Sequence, residues 1–273
     1  MLNWLQTLLR RPSRRADVIP DALWQTTLEQ YPFLARRPVA DHQRLRALVG
    51  EFLTQKEFTG AHGLVVTDQM AVAIAAQACL PVLHMERGLR WYDDFKGIVV
   101  HPGAMLARRE VTDDMGLVHR YSEALLGEAM ERGPVTLSWQ DVAAAGGSAE
   151  QGHNVVIHEF AHKIDMRDGA ADGCPPLTSR AARTAWHAVM QPAYDSFCEQ
   201  VAMAQRFGGP PPWLDDYGAS APAEFFAVAC EAYFVNRERF TEDFAALTVL
   251  FDQFFLQNKT VANRYGRKQL LNR

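Results

Sequence analysis

Apolar residues recur at helical spacing along most of this chain, and short β-branched runs interrupt that period only near its middle. DALWQTTLEQYPFLARRP (21–38) and DHQRLRALVGEFLTQKEF (41–58) each predict a helix, and DQMAVAIAAQACL (68–80) predicts a third, core-like one. GIVVHPG (97–103) and GPVTLSW (133–139) are closed by glycine and proline and predict strands, with others around Arg108 to Val118. The small, glycine-rich AAAGGSAEQG (143–152) reads as a loop that delivers the chain into a helix. Helical periods then resume in HNVVIHEFAHKIDM, SRAARTAWHAVMQPAYDSFCEQVAMAQ, APAEFFAVACEAYFV and ERFTEDFAALTVLFDQFFL. Between them FGGPPPWLDDYGAS (207–220) is turn-rich and irregular.

This order predicts an α+β fold, a small sheet followed by a mostly helical C-terminal half, in a single domain over 21–258. Residues 1–20 read as an amphipathic, basic arm and linker: Leu2, Leu5, Leu8 and Leu9 share a face ahead of four arginines. A signal peptide has its charges first, so the order argues against one. Residues 259–273 read as a tail.

Composition narrows the partners. With 28 Lys+Arg against 32 Asp+Glu the formal net charge is -4, which excludes a broadly basic surface and predicts no direct nucleic-acid partner. The longest apolar run, MAVAIAAQACLPVL, carries Gln77 and falls short of the roughly 20 residues that a spanning helix needs, so no transmembrane segment is expected. Cys79, Cys174, Cys198 and Cys230 lie far apart without Cys-x-x-Cys spacing, which points to reduced thiols and a cytoplasmic protein.

Chemistry concentrates in VVIHEFAHKID (155–165). On a helix, His158 and His162 stack on one face about 6 Å apart along the axis and can clamp one metal ion. Glu159 is rotated roughly 100° from His158, placed to flank a metal and take a proton from water instead of ligating. The surrounding Val155, Val156, Ile157, Phe160, Ala161 and Ile164 predict a largely buried helix, in which histidines need a polar partner. One Zn2+ supplies it. A catalytic zinc takes three protein ligands, and the third is open at this point. Asp168 lies six residues after His162, but Asp165 stands where the corresponding local pattern has a glycine to turn the chain back. Glu224 and Glu231, seven apart in APAEFFAVACEAYFV, are the other candidates. Glu231 and Asp165 are also placed to accept from a ligand histidine's second ring nitrogen.

Taken together, VIHEFAHKID followed by YGASAPAEFFAV resembles the Mlc titration factor A family of bacterial zinc peptidases and, more distantly, the catalytic domain of anthrax lethal factor. The likeness runs from about Ile19 to Asn258, with HPGAM and GPVTLSW in support. It implies a zincin-like metallopeptidase with zinc held by His158, His162 and Glu224, and with Glu159 as general base. A tyrosine seven residues before the ligand glutamate faces the metal in lethal factor, and its counterpart is Tyr217. The resemblance further implies aminopeptidase activity on a peptide or protein substrate, and binding of the Mlc repressor, which controls the glucose phosphotransferase system. GPVTLSW is expected to be the edge strand that pairs with extended substrate. The competing expectation is a non-catalytic regulator-binding protein with a structural zinc.

Overall fold

A computed structural model describes residues 19–103, 105–112, 118–125, 127–129, 133–169 and 171–257, with backbone alone between 104 and 132. The predicted arm up to residue 18 and the tail from 259 lie outside the described residues.

The first predicted helix is two: α1 (Asp21–Gln30) and α2 (Pro32–Ala35). Pro32 disfavours helical backbone at the residue before it, and Tyr31 accordingly sits at φ -122° and ψ 83°. Helix α3 (Val39–Gln55) ends earlier than its apolar period suggests, because Glu57–Gly60 is recruited as strand β1. Parallel pairing of Glu57 with Gly97 and Phe58 with Ile98 overrides the helical continuation. Helix α4 (Asp68–Cys79) has every residue from Met70 to Cys79 buried, the core helix expected of its composition.

The sheet comprises β1, β2 (Gly97–His101), β5 (Gly127–Ala129) and β6 (Val135–Ser138) in the order β1-β2-β6-β5. The first three neighbours run parallel and β5 pairs antiparallel with β6. Strands β3 (Met105–Thr112) and β4 (Val118–Leu125) form a separate antiparallel pair where further strands were expected. The expectation that 133–139 supplies the sheet edge is corrected here: β6 lies between β2 and β5, and the edge beyond it is β5. Strand order is a property of tertiary pairing that local composition does not encode.

The predicted loop at 143–152 is also corrected. Residues Trp139–Ser148 form helix α5, started by the Ser138 hydroxyl, which accepts the N–H of Asp141 at 3.4 Å. Gly146 is there for contact, not for turning: a Cβ on it would stand 2.0 Å from the Gln30 carbonyl oxygen. Helices α6 (Val155–Asp165), α7 (Arg180–Phe207) and α8 (Pro222–Val235) follow as expected. The last predicted helix breaks at Phe244 (φ -131°, ψ 53°) into α9 (Arg237–Asp243) and α10 (Ala245–Phe255). The corner lets Phe240 stack on both Phe244 and Phe251, with ring centres 5.4 and 5.9 Å apart.

The core runs beneath α6. Phe160 on its buried face packs against Tyr92 (4.9 Å), Phe52 (5.8 Å) and Phe95 (5.8 Å). Burying one such ring contributes about 1.5–3 kcal/mol, so α6 is anchored by its apolar side while its histidines face the other way. On that other side α6 packs along α8, and β5 runs beside it.

Candidate metal centre

Asn154 opens α6 by accepting the Ile157 N–H at 2.9 Å through its side-chain oxygen. The four-residue spacing then brings the two imidazoles together edge to face, with ring centres 4.8 Å apart. Opposite them, Pro222 starts α8, and Glu224 falls in its first turn, where the helix dipole favours a carboxylate. From Ala223 to Val235 every residue of α8 is buried except Glu224.

Three donor atoms meet between the helices. Glu224 Oε2 lies 3.1 Å from His158 Nε2 and 3.2 Å from His162 Nε2, and the two Nε2 atoms are 3.2 Å apart. Ligand atoms held at about 2.0–2.1 Å by a tetrahedral ion stand about 3.3–3.4 Å from one another, so this near-equilateral triangle has the dimensions of one face of such a site. Two imidazoles and a carboxylate are also the donor set that suits a divalent cation. Among the described residues, these are the three His, Cys, Asp or Glu side chains whose ligand atoms converge in this way.

The outer contacts orient the first of these side chains, His158. Glu231 Oε1 lies 2.7 Å from His158 Nδ1, and a carboxylate accepts only, so that nitrogen carries the proton and Nε2 is turned to the centre. The other oxygen of Glu231 accepts the Asn154 N–H, and Asn154 Nδ2 donates to Gln77 Oε1 at 2.8 Å. The contact thus reaches the core helix α4, whose Gln77 anchors itself on the Ala73 carbonyl at 3.0 Å. Sequence reading missed Asn154 and Gln77 as supports. Their signals were a capping residue just ahead of the motif and a single amide in an apolar run.

The electrostatic surroundings of the three groups differ. Burial pulls His158 down, yet bonds to Glu224 and Glu231 hold it well above the ordinary histidine value. Burial also lowers His162, and there it prevails over the bond to Glu224 with His158 adding to it. Burial would raise Glu224, but the two histidines hold its carboxyl far below the usual carboxylate range. An ionised carboxylate between two imidazoles, one of them held neutral by burial, is a donor set that can accept a cation.

The remaining predicted residues are placed as follows. Glu159 is buried on α6 beside the histidines. Tyr217 sits in a short 3-10 turn (Asp216–Ser220), 38% exposed, its ring centre 6.3 Å from that of His158. Its N–H donates to Asp215 Oδ1 at 3.0 Å and its carbonyl accepts from the Ser220 hydroxyl at 2.7 Å, so the turn is held on both sides. Asp168 does not join the triangle; it lies in the turn after α6, 4.0 Å from Arg183. Asp165 does not reach a histidine either and instead accepts the Gly173 N–H at 2.8 Å.

An α+β fold in which one helix carries His-Glu-x-x-His and a second supplies a carboxylate to the same point is that of a zincin-like metallopeptidase. The model of one family, the glucose-regulated metallo-peptidases M90, matches residues 5–256. The chain belongs to that family. It is 34% identical to the Mlc titration factor A of Yersinia pestis over 259 residues, which cover 94% of this chain and 91% of the relative. The Mlc titration factor A of Yersinia pseudotuberculosis strain YPIII matches at the same identity and coverage. Membership places the chain among metallopeptidases and implies a metal, which the His158, His162 and Glu224 group is able to hold. No described helix is long and apolar enough to cross a membrane.

Proposed function

We propose that the protein is a zinc-dependent peptidase, with one Zn2+ held by His158, His162 and Glu224 in a single domain spanning 21–258. The observation that carries this reading is the triangle of ligand atoms 3.1–3.2 Å apart within an M90 family chain. The chemistry supplied by zinc bound there is Lewis acidity, which polarises a scissile carbonyl and acidifies water. Glu159 takes a proton from the attacking water and delivers it to the leaving amine. Tyr217 donates a hydrogen bond to the oxyanion that develops on the carbonyl. Glu231 holds His158 in the tautomer that offers Nε2. Extended substrate pairs along β5, the sheet edge that lies beside α6. Aminopeptidase action is the preferred mode, and four unpaired cysteines, three of them buried, favour a cytoplasmic setting.

Elemental analysis of the purified chain, followed by hydrolysis of peptides with free and with blocked N-termini, tests the reading. One zinc per chain and selective cleavage of free N-termini are expected. Absence of stoichiometric metal would remove the site, and equal cleavage of blocked peptides would remove the aminopeptidase assignment.

The name of the Yersinia relatives supports a second role, binding of a Mlc-like transcriptional repressor. The two roles separate in Glu159→Gln: a binder titrates the repressor as well as the unaltered chain does, whereas loss of titration ties the effect to hydrolysis.

A further inference from the structure

Asp165, the last residue of α6, is completely buried three residues beyond His162. Burying a carboxyl is unfavourable unless its oxygens find donors; Oδ2 accepts the Gly173 N–H at 2.8 Å, while Oδ1 is buried without a hydrogen-bond partner, so the Gly173 contact is what holds the side chain. Gly173 adopts a left-handed φ of 79° and lies directly against the peptide that joins Pro222 to Ala223. A Cβ on it would stand 2.5 Å from the Pro222 carbonyl oxygen and 3.4 Å from the Ala223 nitrogen. On its other side the Gly173 carbonyl accepts from Trp186 Nε1 at 2.9 Å, and the Trp186 ring packs against Phe226 of α8 with centres 5.8 Å apart. Gly173 is therefore gripped at both its N–H and its carbonyl, and it abuts the first turn of α8. The residue after Ala223 is Glu224.

We propose that Asp165 is a positioning residue for the metal site: through the Gly173 backbone it fixes the first turn of α8, and with it the place of Glu224 relative to His158 and His162. The inference rests on the reading of those three residues as metal ligands. The two histidines owe their relation to helical spacing, but nothing local relates Glu224 to them. Asp165 belongs to the same helix as the histidines, so a brace that starts from it references α8 to the histidines themselves. Replacement of Asp165 by alanine releases Gly173. Replacement by asparagine keeps an acceptor oxygen in the same place.

The experiment is a competition for Zn2+ between the full-length chain and a chromophoric chelator, which reads affinity without any peptide assay. Asp165→Ala and Gly173→Ala are expected to weaken zinc binding about 10–100-fold, the range found when supports of metal ligands are removed. Asp165→Asn is expected to bind nearly as the unaltered chain does. Tyr31→Phe, which deletes a buried hydrogen bond to the Val142 carbonyl, serves as the control: it lowers Tm with zinc affinity unchanged. Should Asp165→Ala not fold, Asp165→Ser, which is too short to reach the Gly173 N–H, takes its place, and Gly173→Ala strains the Pro222 end of the brace with Asp165 intact. Unchanged affinity in the alanine variants, or an asparagine variant as weak as the alanine one, overturns the brace while leaving the metal site in place. An unaltered chain that binds no zinc overturns both.

Discussion

In α6 the two histidines are four residues apart, so the helix itself aligns them; in α8 the two glutamates are seven apart and have different partners. Glu224 points its carboxylate at both Nε2 atoms, while Glu231, two turns on, takes the far nitrogen of His158 at 2.7 Å. Helix α6 is amphipathic, with Phe160 in the core and histidines on the opposite side. Helix α8 is apolar on nearly every side, and its two glutamates alone mark the face that meets the histidines, without saying which of them reaches both Nε2 atoms. One helix carries its geometry in its spacing. The other acquires it by being packed against the first.

That contrast sets how hard each residue is to replace. The largest effect is expected at Glu224→Ala, which removes the only contribution of α8 to the triangle: metal content measured after dialysis should fall to a small fraction, and peptide hydrolysis with it. Retention of one metal per chain would show that α6 suffices alone. Next comes Glu159→Gln, for which turnover should drop about 10²–10⁴-fold, the usual worth of a general base, with metal content unchanged. Parallel loss of metal in that variant would make Glu159 a ligand and not a base. Tyr217→Phe should lower kcat about 10²–10³-fold, the cost of one oxyanion donor, with little change in KM; an effect confined to KM would place the tyrosine in substrate binding.

Smaller effects probe the supporting contacts. Glu231→Gln leaves one acceptor oxygen where the carboxylate serves both His158 and Asn154, and metal affinity should weaken about 10–100-fold, measurable by chelator competition. The smallest prediction concerns pH. Burial pushes the Asp165 carboxyl up to about 7; the Gly173 N–H opposes that shift, while Asp172 and Asp168 add to it. A group whose folded pKa is raised contributes stability that is full below its unfolded pKa, near 3.8, and is lost as pH rises towards 7. The asparagine side chain does not titrate, so the Tm difference of Asp165→Asn relative to the unaltered chain should shift in favour of the variant between pH 5 and pH 8. A difference constant with pH would mean that the carboxyl does not titrate in that window.

Much of the fold was legible from periodicity, because amphipathic helices such as α3 and α7 advertise their buried face. The misreadings share a cause. Gly146 and Gly147 look like turn residues, yet α5 continues through them, and the Gln30 backbone comes so close that no Cβ fits at 146. Phe244 breaks a helix that its sequence favours, since the corner lets three phenylalanines stack. Among the described residues the sheet's edges are β1 and β5, and β6 is not one of them, a matter of which strands find each other. Asp165 and Glu231 were equal candidates to hold a ligand histidine, and only the packing of α8 on α6 gave that place to Glu231 and left Asp165 facing Gly173.

The approach of His158 to His162 needed nothing beyond the sequence, because a helix of fixed pitch converts a spacing of four into one face. Glu224, Glu231 and the Tyr217 turn lie more than fifty residues downstream, where no local period relates them to α6. Their distances to the histidines are set by the burial of α8, the close approach at Gly173 and the turn held by Asp215 and Ser220. These are contacts between segments far apart in the chain, and they exist only once the core has formed.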